Sequence, residues 1–349
     1  AAGERSFSVA ECNYIYHMQY ISLMNTYGDY ASTLFKLDTS KPLDEQECPS
    51  FMNTEGKENY TWDRYFRDAT RSQLKQLAAY EAYAGQHDIK LDDDDLKEID
   101  DTIASIAETA KKNNYGSVSK FLAANYGRGC NESVARDIMK LQALAAKVQT
   151  SITDAETYTA EELAAKYDSV KDSYDKFTYS YYLVAAEVPE HVHSEDESED
   201  EHNHASEPTD EAKAAAHTTA EAILKKLSDG SSLADAAKAA VEGAEIKEQT
   251  DLVGSSVESD ISEWLKSADR KAGDTTVIDG STGSYVVVFT KRDNNQAPTE
   301  ESGDQKYCDY VAENLLKQDV LSEWNEHVFS GIVEVYKGSF TGASRYVGI

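Results

Sequence analysis

The sequence is poor in positive charge, and this shortage excludes several classes of partner. Its 349 residues contain 34 lysines and arginines against 64 aspartates and glutamates, which gives a net charge of −30. A surface this acidic repels the phosphates of nucleic acids and the headgroups of anionic lipids. We therefore expect no nucleic-acid partner.

Long apolar runs are also missing. No segment approaches the roughly 20 consecutive apolar residues that a membrane-spanning helix needs, and the N-terminus has no apolar core of a signal peptide. We expect the soluble part of a protein. A signal peptide or membrane anchor that once preceded Ala1 and was removed is compatible with this sequence.

Cysteine is scarce and widely spaced. The four cysteines, Cys12, Cys48, Cys130 and Cys308, form no CxxC pair, so neither a cysteine-bound metal cluster nor thioredoxin-type chemistry is indicated. One or two disulfides in an oxidising compartment and buried free thiols both stay open, because Cys12 and Cys308 lie on apolar helical faces.

Motifs for several kinds of catalysis are absent. The sequence has no GxSxG elbow, no HExxH pair, no P-loop and no GxGxxG run. Nucleophilic hydrolysis is therefore not indicated, and we expect no cofactor.

Amphipathic helices dominate the pattern up to about residue 175. Ser8 and Glu11 form a capping box, and Thr61 is typical of an N-cap ahead of a strongly periodic run. The predicted helices cover residues 9–27, 62–85, 93–113, 119–125, 132–152 and a further run after the capping box Thr159/Glu162. Residues 29–60 are expected to be irregular, which makes them an unusually long connection.

The acidic run Asp92–Asp95 has two interpretations. As a calcium loop it lacks the central glycine and the terminal glutamate at the required spacing. Carboxylates at the start of a helix interact favourably with the positive end of its dipole. The sequence therefore favours a helix cap.

The second half of the chain alternates between strands and helices. Phe177–Ala186 and Gly283–Lys291 are rich in aromatic and β-branched residues, and both are predicted strands. Helices are predicted between them, at residues 209–227 and 232–242 and around Trp264. This order is typical of a small α+β domain.

The sequence of this region resembles the parvulin prolyl isomerases. Tyr181–Val184 (YYLV) matches the His-Ile-Leu-Val-like run of the family's first strand, and Gly283–Tyr285 (GSY) matches the Gly-Tyr-His run of its last strand. The segments ILKKLSDGSSLADAAKAA and DLVGSSVESDISEWLKSADRKAGDTTVI match its helix-turn-helix and the helix ahead of its final strands. Both family histidines fall on tyrosines, the glycine-rich loop is reduced to Gly254, and the acidic or thiol pocket residue has no match.

The resemblance implies a proline pocket at particular positions. Thr282 stands at a pocket Ser/Thr position, and Ile261 and Trp264 lie near the place where an apolar residue meets the proline ring. A core position is favoured for Trp264, because it lies on an amphipathic helix, and Tyr181 and Tyr285 are also compatible with packed strand aromatics. A tyrosine hydroxyl, with a pKa near 10, does not exchange protons near neutral pH. Isomerisation requires only a stabilised twisted amide, but the loss of both histidines favours weak or absent catalysis.

The N-terminal half resembles the chaperone segment of the SurA and PrsA foldases, through the runs TWDRYFRDA, GQHDIKLDDDDLKEID and FLAANYGRGCNES. This resemblance implies an α+β protein in which a helical lobe carries an inserted parvulin-like domain. The expected domains are residues 1–175, 176–296 and 297–349. The expected partners are unfolded or proline-containing polypeptides, and the expected location is extracytoplasmic, either secreted or anchored at the outer face of the cell membrane.

The C-terminal region is predicted to return to the helical lobe. Residues 292–304 are a polar linker and residues 332–336 a short strand ahead of a glycine-rich tail. Between them, residues 305–329 form a helix with one apolar face. That face contains Cys308, Val311, Leu315, Trp324 and Val328.

One acidic, low-complexity stretch, residues 189–210, is predicted to be a disordered loop. It contains His191, His193, His202 and His204. His-x-His pairs beside carboxylates can bind zinc, copper or nickel, so a metal-binding envelope protein is the alternative function. A solvated loop is favoured, because nothing in the sequence supplies a scaffold to order these ligands.

Overall fold

The computed structural model describes residues 5–28, 30–188 and 207–331. It divides into two compact units. The first combines the chain up to Thr157 with the chain from Lys317 onward, and the second is Tyr158–Leu316. The sequence placed these boundaries at residues 175 and 296. The expected strand at 332–336 and the four histidines of the acidic stretch lie outside the described residues.

Helices form most of the described chain, and the strands are confined to the second unit. The helices are α1 (Val9–Tyr27), α2 (Tyr30–Leu34), α3 (Trp62–His87), α4 (Asp93–Lys112), α5 (Val118–Tyr126), α6 (Glu132–Asp154), α7 (Ala160–Tyr174), α8 (Asp210–Ser228), α9 (Leu233–Ala240), α10 (Ser259–Lys266) and α11 (Tyr307–Gly331). The strands are β1 (Lys176–Ala185), β2 (Lys247–Val253), β3 (Thr275–Asp279) and β4 (Gly283–Asp293). The predicted α+β class, mostly helical, is confirmed.

The predicted helix caps are present. Ser8 accepts a hydrogen bond from the Glu11 amide while the Glu11 carboxylate accepts one from the Ser8 amide, which completes the capping box of α1. Asp92 caps α4 in the same reciprocal way with Asp95, and Lys147 pairs with both carboxylates at 2.7 and 3.0 Å. The helix-cap interpretation of the acidic run is therefore confirmed.

The connection between α1 and α3 is more ordered than expected. Besides α2, it contains two single-turn 3-10 helices, Leu43–Glu45 and Ser50–Met52. The buried amide of Gln46 orders the segment: its nitrogen donates to the carbonyls of Asp38 and Lys41, and its oxygen accepts from the Asp38 amide. One buried side chain thus satisfies several backbone groups that would otherwise need solvent.

Two apolar clusters form the core of the first unit. One lies among α1, α3, α4, α5 and α6 and includes Ile15, Leu77 and Ile138. The other lies beneath the α1–α3 connection and includes Phe35 and Trp62. All four cysteines are free thiols, three of them buried, so the disulfide alternative is not found.

The last helix, α11, divides its apolar residues between the two units. Cys308 and Val311 pack with Tyr167 in the second unit. Further along, Trp324 packs in the first unit, where its ring stacks on Tyr80 with centroids 4.9 Å apart. The return of this helix to the helical lobe is therefore found for its second half. No helix within the described ranges is both long enough and apolar enough to cross a membrane.

The second unit is built around an antiparallel sheet of four strands in the order β2-β1-β4-β3. Helices α8 and α9 pack on one face, against residues that include Val184 and Val286. Helix α10 covers the other face through Ile261 and Leu265. The expected linker at 292–304 is partly incorporated into this unit. Strand β4 runs on to Asp293, and the Asn295 side chain is buried and donates to the Tyr167 hydroxyl at 2.8 Å.

Candidate functional site

The alternation of β1 and β4 places three tyrosines on the face covered by α10. Tyr179 and Tyr181 of β1 and Tyr285 of β4 belong to one buried cluster. The register pairs Tyr181 with Val287 and Leu183 with Tyr285, so the two tyrosines at the parvulin histidine positions are diagonal neighbours. Their ring centroids are 5.7 Å apart, and Tyr179 stacks on Tyr181 at 6.0 Å. The structure thus brings Tyr181 and Tyr285 together as the resemblance implies.

Burial, with a smaller contribution from carboxylates beside α10, raises the pKa of two of these tyrosines. The Tyr181 hydroxyl donates to Glu258 Oε1 at 3.2 Å. Burial, together with the negative charge of Glu258, raises the pKa of Tyr181 to about 12. Burial and the carboxylates of Asp260 and Glu258 also raise the pKa of Tyr285. Both hydroxyls are therefore neutral at physiological pH, and neither can act as a general acid or base there.

The turn between β3 and β4 holds Thr282 next to this pair. The Thr282 carbonyl accepts a hydrogen bond from the Ala186 amide at 2.9 Å. Gly283, with φ of 153°, lets the turn approach the end of β1, because a Cβ at this position would collide with the Val184 carbonyl. The structure therefore places Thr282 in the tight turn that leads into the strand of Tyr285.

The structure separates the two apolar pocket candidates. Ile261 is 0% exposed and lies within the core beneath α10. Trp264 is half-buried at the wall of an open cavity of about 680 Å³, which Asp260, Glu263 and Ile278 also line. The Arg270 guanidinium covers the Trp264 ring at 4.5 Å from its centroid. Of the two, only Trp264 is placed where a ligand can reach it without a rearrangement.

Three residues of the site were not identified from the sequence. Tyr179 lies two positions before Tyr181 and therefore on the same strand face, a signal that the period of two already contains. Glu258 and Asp260 lie just before and inside the first turn of α10. Their proximity to the tyrosines depends on how α10 crosses the sheet, which the local sequence does not specify.

Gly254, which the resemblance matches to the parvulin glycine-rich loop, has a packing role. It is buried, its amide donates to the Asp175 carbonyl at 2.9 Å, and a Cβ here would collide with the Asp172 carbonyl. A larger residue would separate the end of β2 from α7.

No metal centre is found among the residues that the structure describes. They contain no group of three or more His, Cys, Asp or Glu side chains arranged to hold an ion. His191, His193, His202 and His204 lie in the undescribed stretch 189–206, so the metal-binding hypothesis stays a prediction from the sequence.

Comparison with solved structures finds foldases and chaperones. The chain is similar to the peptidylprolyl isomerase PrsA of Bacillus cereus, with 13% identity, 83% of this chain and 96% of that chain covered, and a TM-score of 0.35. It is also similar to the foldase protein PrsA of Lactococcus lactis, with 18% identity, 80% of this chain and 89% of that chain covered, and a TM-score of 0.28. A third similar structure comes from work on PEB4 and Cj1289, SurA-like chaperones of Campylobacter jejuni. Its identity is 13%, 78% of this chain and 89% of that chain are covered, and the TM-score is 0.29.

Neither the protein-family models nor the curated proteins compared with this chain give a match. The resemblance to SurA/PrsA-like foldases predicted from the sequence is confirmed as a likeness to solved structures, at identities of 13% and 18% in these three cases.

Proposed function

We propose that this chain is an extracytoplasmic foldase-type chaperone that binds unfolded polypeptides. Its second unit is proposed to be a parvulin-like domain that contacts client chains and has weak or absent prolyl isomerase activity. The extracytoplasmic location, secreted or membrane-anchored, rests on the sequence resemblance to the foldases.

The observation that carries the proposal is the arrangement of the second unit. Its strands and helices follow the order that the resemblance implies, and its sheet brings Tyr181 and Tyr285 together at the two family histidine positions. This combination of order, pairing and position supports a parvulin ancestry. Because fold and function separate readily, the chemistry has to be argued from the site itself.

The site argues for weak catalysis. Tyr181 is 2% exposed and Tyr285 is 6% exposed, and the Tyr181 hydroxyl already donates a hydrogen bond to Glu258. A prolyl isomerase must stabilise a twisted amide better than a planar one. Groups that are buried and already engaged cannot do this unless α10 moves away, and that movement would cost the burial of Ile261 and Leu265.

The test measures isomerisation and client binding in parallel. Exchange NMR on short Xaa-Pro peptides follows the cis/trans rate constant with the intact chain and with the variants Tyr181→Phe and Tyr285→Phe. Light scattering follows the aggregation of a chemically unfolded client protein. We expect little or no acceleration of exchange with any of the three proteins, and suppressed aggregation with all of them.

Tyr182→Phe is the matched control, because Tyr182 lies on the opposite face of the same strand. A large acceleration that is lost in Tyr181→Phe or Tyr285→Phe but kept in Tyr182→Phe would show a working isomerase that uses tyrosine hydroxyls. Failure of the intact chain to suppress aggregation would contradict the chaperone proposal.

A further inference from the structure

Large apolar side chains are exposed together where α1 ends and α2 begins. Tyr27, Tyr30, Leu34 and Phe51 have 40%, 70%, 56% and 60% of their surface exposed. We call these four residues the aromatic patch. Large exposed apolar surfaces on folded proteins commonly mark interaction sites.

The buried ring of Phe35 holds the patch together. It contacts Tyr27 edge-on, with centroids 4.6 Å apart, and Phe51 at 5.9 Å. Tyr30 and Leu34 lie four residues apart on α2 and therefore share one face of that helix. Tyr27 and Phe51 thus flank one buried ring, and Tyr30 and Leu34 lie on the short helix that ends directly before that ring.

The support beneath the patch is well packed. Phe35 belongs to a cluster with Leu37, Leu43 and Trp62, whose exposed fractions are 7%, 1%, 2% and 0%. The hydrogen bonds of Gln46 fix the backbone between Asp38 and Pro42. A partner would therefore meet a largely preformed surface, which reduces the entropy lost on binding.

A cavity adjoins the patch. Its volume is about 490 Å³, and its wall includes Met24, Ala31, Leu37 and Lys36. This is within the range of small-molecule and side-chain pockets. The lining of this cavity comes from residues next to the patch in the chain, so the same segment carries the exposed side chains and a depression that can hold a side chain.

Charge around the patch selects the partner. In the connection between α2 and α3, Lys41 is paired with Asp38 at 3.1 Å and Lys57 with Glu55 at 3.0 Å. The carboxylates of Asp44, Glu45, Glu47 and Glu58 are exposed and have no ion-pair partner in the described chain. With the exposed Lys36 included, residues 34–60 have six carboxylates against three lysines, so the segment beside the patch has a net charge of −3, which favours cationic partners and repels acidic ones.

We propose that the aromatic patch binds client segments in which aromatic or aliphatic residues are flanked by lysine or arginine. The apolar residues pack on Tyr27, Tyr30, Leu34 and Phe51, and the basic flanks meet the surrounding carboxylates. This inference rests on the proposed chaperone function and names the class of client sequence that it selects.

The test uses two labelled peptides and the full chain. Each peptide has twelve residues, with two phenylalanines and two leucines among serines; one has Lys-Lys at both ends and the other Glu-Glu. Fluorescence anisotropy gives the dissociation constants. We expect the lysine-ended peptide to bind the intact chain more tightly, and the double variant Tyr30→Ser/Phe51→Ser to weaken that binding about tenfold, a loss typical of central interface residues.

Two further variants separate the contributions. Leu96→Ser removes an apolar side chain that is 39% exposed on α4, a helix that does not contribute to the patch. This variant is expected to leave peptide binding unchanged. Glu45→Gln/Glu47→Gln is expected to reduce the preference for lysine ends several-fold while binding of the glutamate-ended peptide improves. Circular dichroism checks that each variant keeps its helices, as expected for exposed positions.

The outcomes are distinguishable. If the intact chain suppresses aggregation and binds peptides, but Tyr30→Ser/Phe51→Ser binds them equally well, the patch inference fails and the chaperone proposal stands. If the intact chain does neither, the chaperone proposal itself fails. If sedimentation shows that Tyr30→Ser/Phe51→Ser turns a dimer into a monomer without changing peptide binding, the patch holds a second copy of the chain, and the inference is overturned.

Discussion

The protonation of His17 is expected to weaken the first unit at mildly acidic pH. His17 lies on α1 with 2% of its surface exposed, and its Nε2 atom has no hydrogen-bond partner among the described residues. The backbone at Gly127 approaches closely, since a Cβ there would lie 3.1 Å from this nitrogen. Burial lowers the pKa of His17 from the model-peptide value of 6.5 to about 4.

The magnitude follows from proton linkage. Between these two pKa values the unfolded chain binds a proton that the folded chain does not, so the free energy of unfolding falls as the pH falls. A shift of one pKa unit corresponds to about 1.4 kcal/mol. From pH 7.5 to 5.0, about 1.5 units below the unperturbed pKa, His17 should therefore reduce the stability of the first unit by about 2 kcal/mol.

The assay is urea unfolding at these two pH values, with a reporter confined to the first unit. Trp62 and Trp324 pack in that unit and Trp264 in the other, so the background variant Trp264→Phe makes tryptophan fluorescence specific. His17→Phe keeps a ring of similar size and removes the titration. The loss of stability on acidification should be about 2 kcal/mol smaller in His17→Phe than in the background; His17→Gln repeats the test with a polar replacement.

His217→Gln in the same background is the control, because His217 lies in the second unit and its loss should leave the pH dependence of the first unit unchanged. The hydrogen bond of His217 with Asp279, 2.8 Å long, raises the pKa of His217. Protonated His217 therefore stabilises the second unit below the unfolded pKa, and this contribution is lost as the pH rises through the folded pKa, opposite in direction to the effect of His17. If His17→Phe and the background lose equal stability on acidification, His17 is protonated in the folded state and the reasoning is refuted.

Three further predictions concern particular contacts. Arg292→Met leaves the Asp175 carboxylate, 1% exposed and 2.6 Å from the Arg292 Nε atom, without its cation. It should destabilise the second unit by about 3 kcal/mol in urea unfolding followed by Trp264 fluorescence, with partial recovery on adding Asp175→Asn; an unchanged midpoint would contradict this. Asp92→Ala removes the cap of α4 and should cost about 1 kcal/mol in thermal unfolding, more than Asp93→Ala, and equal losses would rule out the cap as the cause. Gly283→Ala should disrupt the β1–β4 pairing, which NMR would show as loss of the strand amide pattern. Gly230→Ala, with open space around its Cβ, should keep that pattern. An intact sheet in Gly283→Ala would contradict the prediction.

Signals within a few residues predicted the local structure well. The capping boxes of α1 and α7 were predicted, because the donor, the acceptor and their spacing lie within one helical turn, and the acidic run at the start of α4 was predicted as a helix cap. β1 and β4 were predicted within two residues of their ends, because both are rich in strand-forming residues. The class of the fold follows from these elements and their order.

Strand β2 was missed for a physical reason. The run Lys247–Val253 is polar and mostly exposed, with neither the alternation nor the apolar content of a buried strand. It lies at the edge of the sheet, and it is a strand because β1 offers it backbone partners, with Lys176 paired to Val253 and Tyr181 to Lys247. Backbone pairing does not depend on side-chain identity, so no local sequence pattern predicted strand β2.

The candidate site divides in the same way. The sequence by itself determined that Tyr181 and Tyr285 are the residues matched to the parvulin histidines by the resemblance, because matching of short runs needs only chain order. Only the tertiary structure decided that Glu258 and Asp260 lie against those rings, that Ile261 is buried while Trp264 borders a cavity, and that Tyr27 and Phe51 flank the buried Phe35. These facts depend on how helices cross a sheet or one another, which is set by packing between residues distant in the chain.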